Sequence, residues 1–102
     1  MAVFNVTKEN FTEIRNSAKP VLLDFYADWC GPCRMVSPLV DEIAEEHSEF
    51  TVGKVNVDEQ PELAAAFGVS SIPMLAVIKN GAVTAHAVGT RPKSAILDML
   101  KG

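Results

Sequence analysis

Val21-Leu22-Leu23-Asp24-Phe25-Tyr26-Ala27-Asp28-Trp29-Cys30-Gly31-Pro32-Cys33 reads as a strand that runs, through a short turn, into the start of a helix. Residues 21–27 are almost continuously apolar, the pattern of a central strand covered on both faces. Pro32 suits the first turn of a helix, where its missing N–H costs nothing. Beyond it, Val36, Leu39, Val40, Ile43 and Ala44 recur at i, i+3, i+4, i+7 and i+8 and form one apolar stripe. Asp41, Glu42, Glu45 and Glu46 take the remaining face, most simply a solvated one. Pro38 falls inside this helix and is expected to kink it rather than end it, because the stripe continues past it.

Outward from this unit, strands and helices alternate. Upstream, residues 4–6 form a first short strand, and Thr7 is the expected N-cap of a helix through Phe11 and Ile14. Downstream, residues 51–57 read as a strand, and Pro61 and Gly68 bracket a short helix. Residues 75–79 and 82–88 flank Asn80-Gly81, the strongest two-residue hairpin signal. A last helix starts near Pro92 and is expected to bury Ile96, Met99 and Leu100. The order β-α-β-α-β-α-β-β-α implies an α/β fold, with βαβ units followed by an antiparallel hairpin and helices on both faces of a mixed sheet. No repeat, linker or low-complexity segment divides residues 1–102, which read as one domain.

Hydrophobic residues make up 48% of the chain and charged residues 22%, an ordinary globular balance. A chain of this size can bury an adequate core without disulfide or metal staples, so its two cysteines need another explanation. The net charge of −4 argues against a nucleic-acid groove or an anionic membrane surface as partner. The N-terminal residues show no basic region followed by a long apolar stretch, and no run approaches a membrane span. The expected location is therefore the cytoplasm. In that reducing compartment a close cysteine pair points to catalysis, redox activity or metal binding rather than to a structural bond.

Spacing carries the chemistry. Residues i and i+3 on a helical turn lie about 5–6 Å apart on one side, within the reach of a disulfide. Cys30 precedes the helix that Pro32 begins, so its sulfur lies beside unpaired N–H groups and the positive end of the helix dipole. Both favour the nucleophilic thiolate, and the neighbouring cation Arg34 adds to them. Cys33, one turn further in, is expected to be the more shielded. This asymmetry assigns attack to Cys30 and resolution to Cys33. Three plainer explanations stand beside it. A structural disulfide closing so short a loop would contribute only about 2 kcal/mol. A zinc site would need two more ligands, and only His47 and His86 remain, at spacings unlike any finger. Two inert core thiols would not need the helix-start setting.

The segment from Asp24 through Cys33 resembles the active-site signature of the thioredoxin family, in its Trp-Cys-Gly-Pro-Cys form. The likeness covers essentially the whole chain: Lys54 in Gly-Lys-Val-Asn-Val-Asp, Ile72-Pro73, Lys79-Asn80-Gly81 and Val88-Gly89 fall in the family's order. The resemblance implies a thioredoxin fold, a central mixed five-stranded sheet in the order 1-3-2-4-5 flanked by four helices. It implies a cis peptide at Ile72-Pro73 beside the cysteines, and a docking surface made of Trp29, Gly31, Pro32, Ile72, Pro73, Val88 and Gly89. There, an extended substrate segment pairs with the backbone before the proline. It also implies a general protein disulfide reductase acting on disulfide-containing protein substrates. Such a protein is recharged by a thioredoxin reductase, binds no cofactor or metal, and works as a monomer. Tyr26 stands where bacterial members often carry Trp, Met74 where the family usually has Thr, and Ser70-Ser71 replaces a commonly glycine-containing pair.

Asp24 stands out without the family, because a carboxylate interrupts an apolar strand. Burial would raise its pKa and make it a candidate proton acceptor for Cys33; a position facing solvent at a sheet end is the alternative. The resemblance places it behind the cysteines with Lys54 tuning its charge. Two other functions remain open at this point: an oxidase or isomerase of an oxidising compartment, and a binding subunit that uses the docking surface without turnover.

Overall fold

The computed structural model describes residues 3–102. Its elements are β1 (Val3–Asn5), α1 (Phe11–Arg15), β2 (Val21–Tyr26), α2 (Gly31–Glu46), β3 (Thr51–Asn56), α3 (Pro61–Ala66), β4 (Met74–Lys79), β5 (Ala82–Val88) and α4 (Lys93–Lys101). The five strands form one sheet in the order β1-β3-β2-β4-β5, as the resemblance implies. β1 and β2 run parallel to β3, whereas β4 runs antiparallel to β2 and to β5.

β2 lies at the centre because its side chains can be covered from both sides. Val21, Leu23 and Phe25 pack with Ile14 of α1 and Leu63 of α3. Leu22 points the other way, into a second cluster with Val36, Val40, Ile43 and Ala44 of α2 and with Ile96 and Leu100 of α4. Each such fully buried Leu or Phe contributes roughly 1.5–3 kcal/mol. Asp24 shares the parity of Leu22 and so lies on the α2 side of the sheet.

The α2 stripe explains how that helix tolerates Pro38 in its interior. Proline removes one backbone hydrogen bond, but Val36, Val40, Ile43 and Ala44 bury the helix on both sides of it. The Asn80-Gly81 hairpin has positive φ at both central residues, 53° and 81°, as a type I′ turn requires. In α4, Ile96 and Leu100 are buried as expected, but Met99 only partly.

The expected N-cap at Thr7 is not observed. Helix α1 begins at Phe11, after Asn10. The Asn10 side chain reaches backwards: its Oδ1 accepts the Thr7 N–H at 2.8 Å and its Nδ2 donates to the Asn5 carbonyl at 2.9 Å. Residues 7–10 therefore form a turn that ties the end of β1 to the start of α1. Asparagine side chains compete with helical backbone bonds in this way. Among the described residues, no helix is long and apolar enough to cross a membrane.

Candidate functional site

Cys30 is the N-cap of α2, with extended backbone at φ −89° and ψ 109°, and its Sγ accepts the Cys33 N–H at 3.2 Å. The two cysteines form a disulfide across the first turn, with Cα atoms 5.3 Å apart. The expected difference in shielding is not seen in this oxidised state. Cys30 is 5% exposed and Cys33 4%, because Tyr26, Val57 and Ile72 pack around both. The two sulfurs differ instead in electrostatic setting, since Cys30 alone occupies the cap position against the free N–H groups of α2. The Arg34 guanidinium donates to the Asp28 carbonyl at 2.9 Å, bracing the loop before Cys30.

Parallel pairing of β2 and β3 brings their C-terminal ends to the same edge of the sheet, and antiparallel β4 starts there. The residues of the implied docking surface meet at this edge. The Ile72-Pro73 peptide is cis, Ile72 packs on the cysteines, and the Gly89 N–H donates to the Pro73 carbonyl at 2.8 Å. Gly31 and Pro32 are exposed in the first turn of α2. Trp29, 69% exposed, lines a groove of about 380 Å³ with Val57, Ala64, Val69, Ser70, Ser71 and Ile72. Val88 is not part of that groove. It pairs with Met74 and lines a separate groove of about 650 Å³ beside Phe67 and His86. Met74 itself is buried in the α1/α3 core and does not join the cysteine cluster.

Two residues at this edge escaped the sequence reading. Trp29 Nε1 donates to Asp58 Oδ2 at 2.8 Å, and the Asp58 N–H in turn donates to Asn56 Oδ1 at 2.9 Å. The available signal was position: an acid just past the strand parallel to β2 emerges beside the turn that carries Trp29.

Asp24 is 1% exposed, and neither carboxylate oxygen has a hydrogen-bond partner. Burial pushes its pKa up from 3.8 to about 6; the Lys54 cation opposes that rise and the Asp41 carboxylate adds to it. Asp24 and Lys54 are register partners on adjacent strands. Yet the Lys54 ammonium is engaged elsewhere, 2.8 Å from Asp41 Oδ1 and 2.5 Å from Ser37 Oγ. The acidic face of α2 is exposed, as expected, and it also carries ion pairs, since Glu42 and Glu46 pair with Lys93 of α4. A cavity of about 230 Å³, lined by Cys33, Ser37, Lys54, Tyr26, Ala27, Asp28 and Arg34, opens beside the inner cysteine. His47 caps α2 and bonds Glu49 at 3.0 Å, stacked on Phe50, and His86 lies on β5. His47 thus lies at the opposite end of α2 from Cys30, and His86 pairs with Ala76 of β4.

A buried cysteine pair closing a disulfide across the first turn of a helix suits two-electron exchange between thiols and disulfides. Comparison with known proteins agrees. The family model described as Thioredoxin matches residues 2–102. A thioredoxin of Pyropia yezoensis is 49% identical over 102 residues, covering 98% of this chain and 95% of that protein. A thioredoxin of Alicyclobacillus acidocaldarius is 46% identical over 93 residues, covering 90% of this chain and 89% of that protein. A solved mutant thioredoxin from Halobacterium salinarum superposes with a TM-score of 0.91 at 35% identity, covering 97% of this chain and 88% of that one.

Proposed function

The chain belongs to the thioredoxin family and is a thiol–disulfide oxidoreductase whose redox group is the Cys30–Cys33 pair itself; from that premise, we propose that it is a general protein disulfide reductase in which the two sulfurs have fixed, unequal roles. The Cys30 thiolate attacks one sulfur of a substrate disulfide, forming a mixed disulfide and expelling the other substrate sulfur as a thiolate, which takes a proton from solvent. Cys33 then loses its proton to Asp24 and attacks the Cys30 sulfur. The second substrate sulfur leaves as a thiolate and takes a proton from solvent, Asp24 returns its proton to solvent, and Cys30–Cys33 closes. Two electrons have passed to the substrate, and a partner thioredoxin reductase returns two to the protein.

One observation carries the assignment: Cys30 Sγ sits in the cap position of α2, accepting the Cys33 N–H at 3.2 Å. The N–H groups there stabilise negative charge on this sulfur before any substrate arrives. Asp24 supports the second step because an unpartnered carboxyl with its pKa near 6 can accept a proton close to neutral pH. Lys54 tunes that value from the next strand. Trp29, Gly31, Pro32, Ile72, Pro73 and Gly89 form the docking surface, with Val88 at its margin in the neighbouring groove, and an extended substrate segment lies against it beside the cis proline. A single domain over residues 1–102, acting as a monomer in the cytoplasm, completes the reading; a reducing compartment is where a dithiol of this kind can be kept charged.

The test is trapping. Cys33→Ser should accumulate mixed disulfides through Cys30, identifiable by mass spectrometry, whereas Cys30→Ser should capture nothing and fail to reduce insulin. Equal capture through either cysteine would remove the unequal roles. A strongly oxidising reduction potential would instead indicate an oxidase.

A further inference from the structure

We propose that Asp41 is a positioning residue for the exchange reaction: with Ser37, it anchors the Lys54 ammonium on the α2 side and so keeps Lys54 from pairing with Asp24. The inference rests on the reading of Asp24 as proton acceptor and adds a residue through which that acceptor is controlled.

The argument starts from register. Asp24 and Lys54 are direct partners on parallel strands, so their side chains leave the sheet on the same face from neighbouring strands about 4.8 Å apart. Lysine carries its charge on a flexible four-carbon stem. A buried carboxylate and a flexible ammonium so placed should form an ion pair, because an unpartnered charge in the interior is costly. They do not: both Asp24 oxygens lack a partner, while Lys54 Nζ lies 2.8 Å from Asp41 Oδ1 and 2.5 Å from Ser37 Oγ. Asp41 and Ser37 are four residues apart on α2 and therefore share one face of that helix. Between them they hold the ammonium, and Lys54 lines two cavities: one of about 230 Å³ with Cys33 and Ser37, and one of about 560 Å³ with Tyr26 and Asp41.

The consequence is chemical. An ammonium in contact with Asp24 would hold it as a carboxylate and weaken it as a base. Held by Asp41, Lys54 moderates the burial effect without cancelling it. The charged groups that act on Asp24 are Lys54 from β3 and Asp41 from α2. Tyr26, Asp28 and Arg34 line the cavity beside Cys33. The Asp24 partner on β4 is the apolar Leu75.

The experiment follows the Asp24 titration in the reduced protein by carboxyl-carbon NMR, in wild type, Asp41→Asn, Asp41→Glu, Lys54→Met and the double variant Asp41→Asn/Lys54→Met. Asp41→Asn should lower the Asp24 midpoint by roughly half a unit to one unit, since it frees the ammonium and also removes a neighbouring negative charge. Asp41→Glu should restore the wild-type midpoint. In the Lys54→Met background the same Asn substitution should move the midpoint much less, because only the direct charge effect is left. An unchanged midpoint in Asp41→Asn, or an equal shift with and without Lys54, would overturn the proposal. This readout is separate from the role of Asp24 itself. If Asp24→Asn resolves the mixed disulfide at the wild-type rate, the proton-acceptor reading fails whatever the titration shows.

Discussion

Asn56 and Asp24 are both buried polar residues on neighbouring strands and on the same face of the sheet, and the molecule treats them in opposite ways. Asn56 is 5% exposed, and its Oδ1 accepts the N–H groups of Asp58 at 2.9 Å and Glu59 at 3.3 Å. Its amide turns the chain at the end of β3 and sets Asp58 beneath Trp29. Asp24 is 1% exposed and has no partner for either oxygen. Buried polar groups are normally satisfied, and Asn56 shows that this fold can do so two register positions away, opposite Tyr26. The contrast separates a polar group that builds the site from one held ready to change its charge.

The largest expected effect breaks the Asp24 side of this contrast. A carboxyl whose folded pKa is raised binds its proton more tightly folded than unfolded. It therefore adds no penalty below 3.8, where both states are protonated, and destabilises the fold as pH rises through about 6. Relative to Asp24→Asn, wild type should lose about 3 kcal/mol of stability between roughly pH 3.5 and pH 7. Urea unfolding at a series of pH values measures it, and a constant difference would show that Asp24 is not perturbed. Asp24→Asn should also slow release from the Cys30 mixed disulfide more than its formation, which single-turnover kinetics between neutral and alkaline pH can separate.

Asn56→Ala sharpens the comparison from the other side. It removes the side-chain acceptor of the Asp58 N–H, while the Glu59 N–H keeps the Asn56 carbonyl at 3.2 Å, and should cost about 1–1.5 kcal/mol. That loss should be the same at every pH from about 5 to 8, because no ionisable group is removed. A loss that tracked pH would mean that Asn56 is coupled to Asp24 after all. The smallest effect lies downstream, at the hydrogen bond between Trp29 and Asp58. Asp58→Ala should cost less than about 1 kcal/mol of stability. Trp29 is the chain's one tryptophan, so its fluorescence reports the loss of this anchor directly. Protein substrates should then show a raised KM with kcat nearly unchanged.

Much of this organisation was legible in the residues because it depends on local pattern. The apolar run through Phe25, the proline after Cys30 and the Asn80-Gly81 pair each determine local backbone structure from within a few positions. The exceptions share a cause. Thr7 looked like a cap because Asn10 was not seen to reach back to Asn5 and Thr7. The acidic face of α2 is exposed as expected, but its ion pairs with Lys54 and Lys93 were not legible, because those partners arrive from β3 and α4. Cys33 was expected to be the more shielded sulfur, but the groups that pack on the cluster holding both, Tyr26, Val57 and Ile72, come from three separate segments. Spacing along a chain reveals which residues share a turn; it does not reveal which distant side chain will close over them.

The antiparallel course of β4 has a practical corollary. β4 starts beside the cysteines, where Met74 faces Phe25, and ends where Ile78 faces Val21. The tip of the next hairpin, Asn80-Gly81, therefore lies roughly 20 Å away, at the opposite pole of the sheet. A short flexible tether grafted at that tip would hold the protein on a bead or electrode with its reactive end turned outward, where incoming disulfides can reach it.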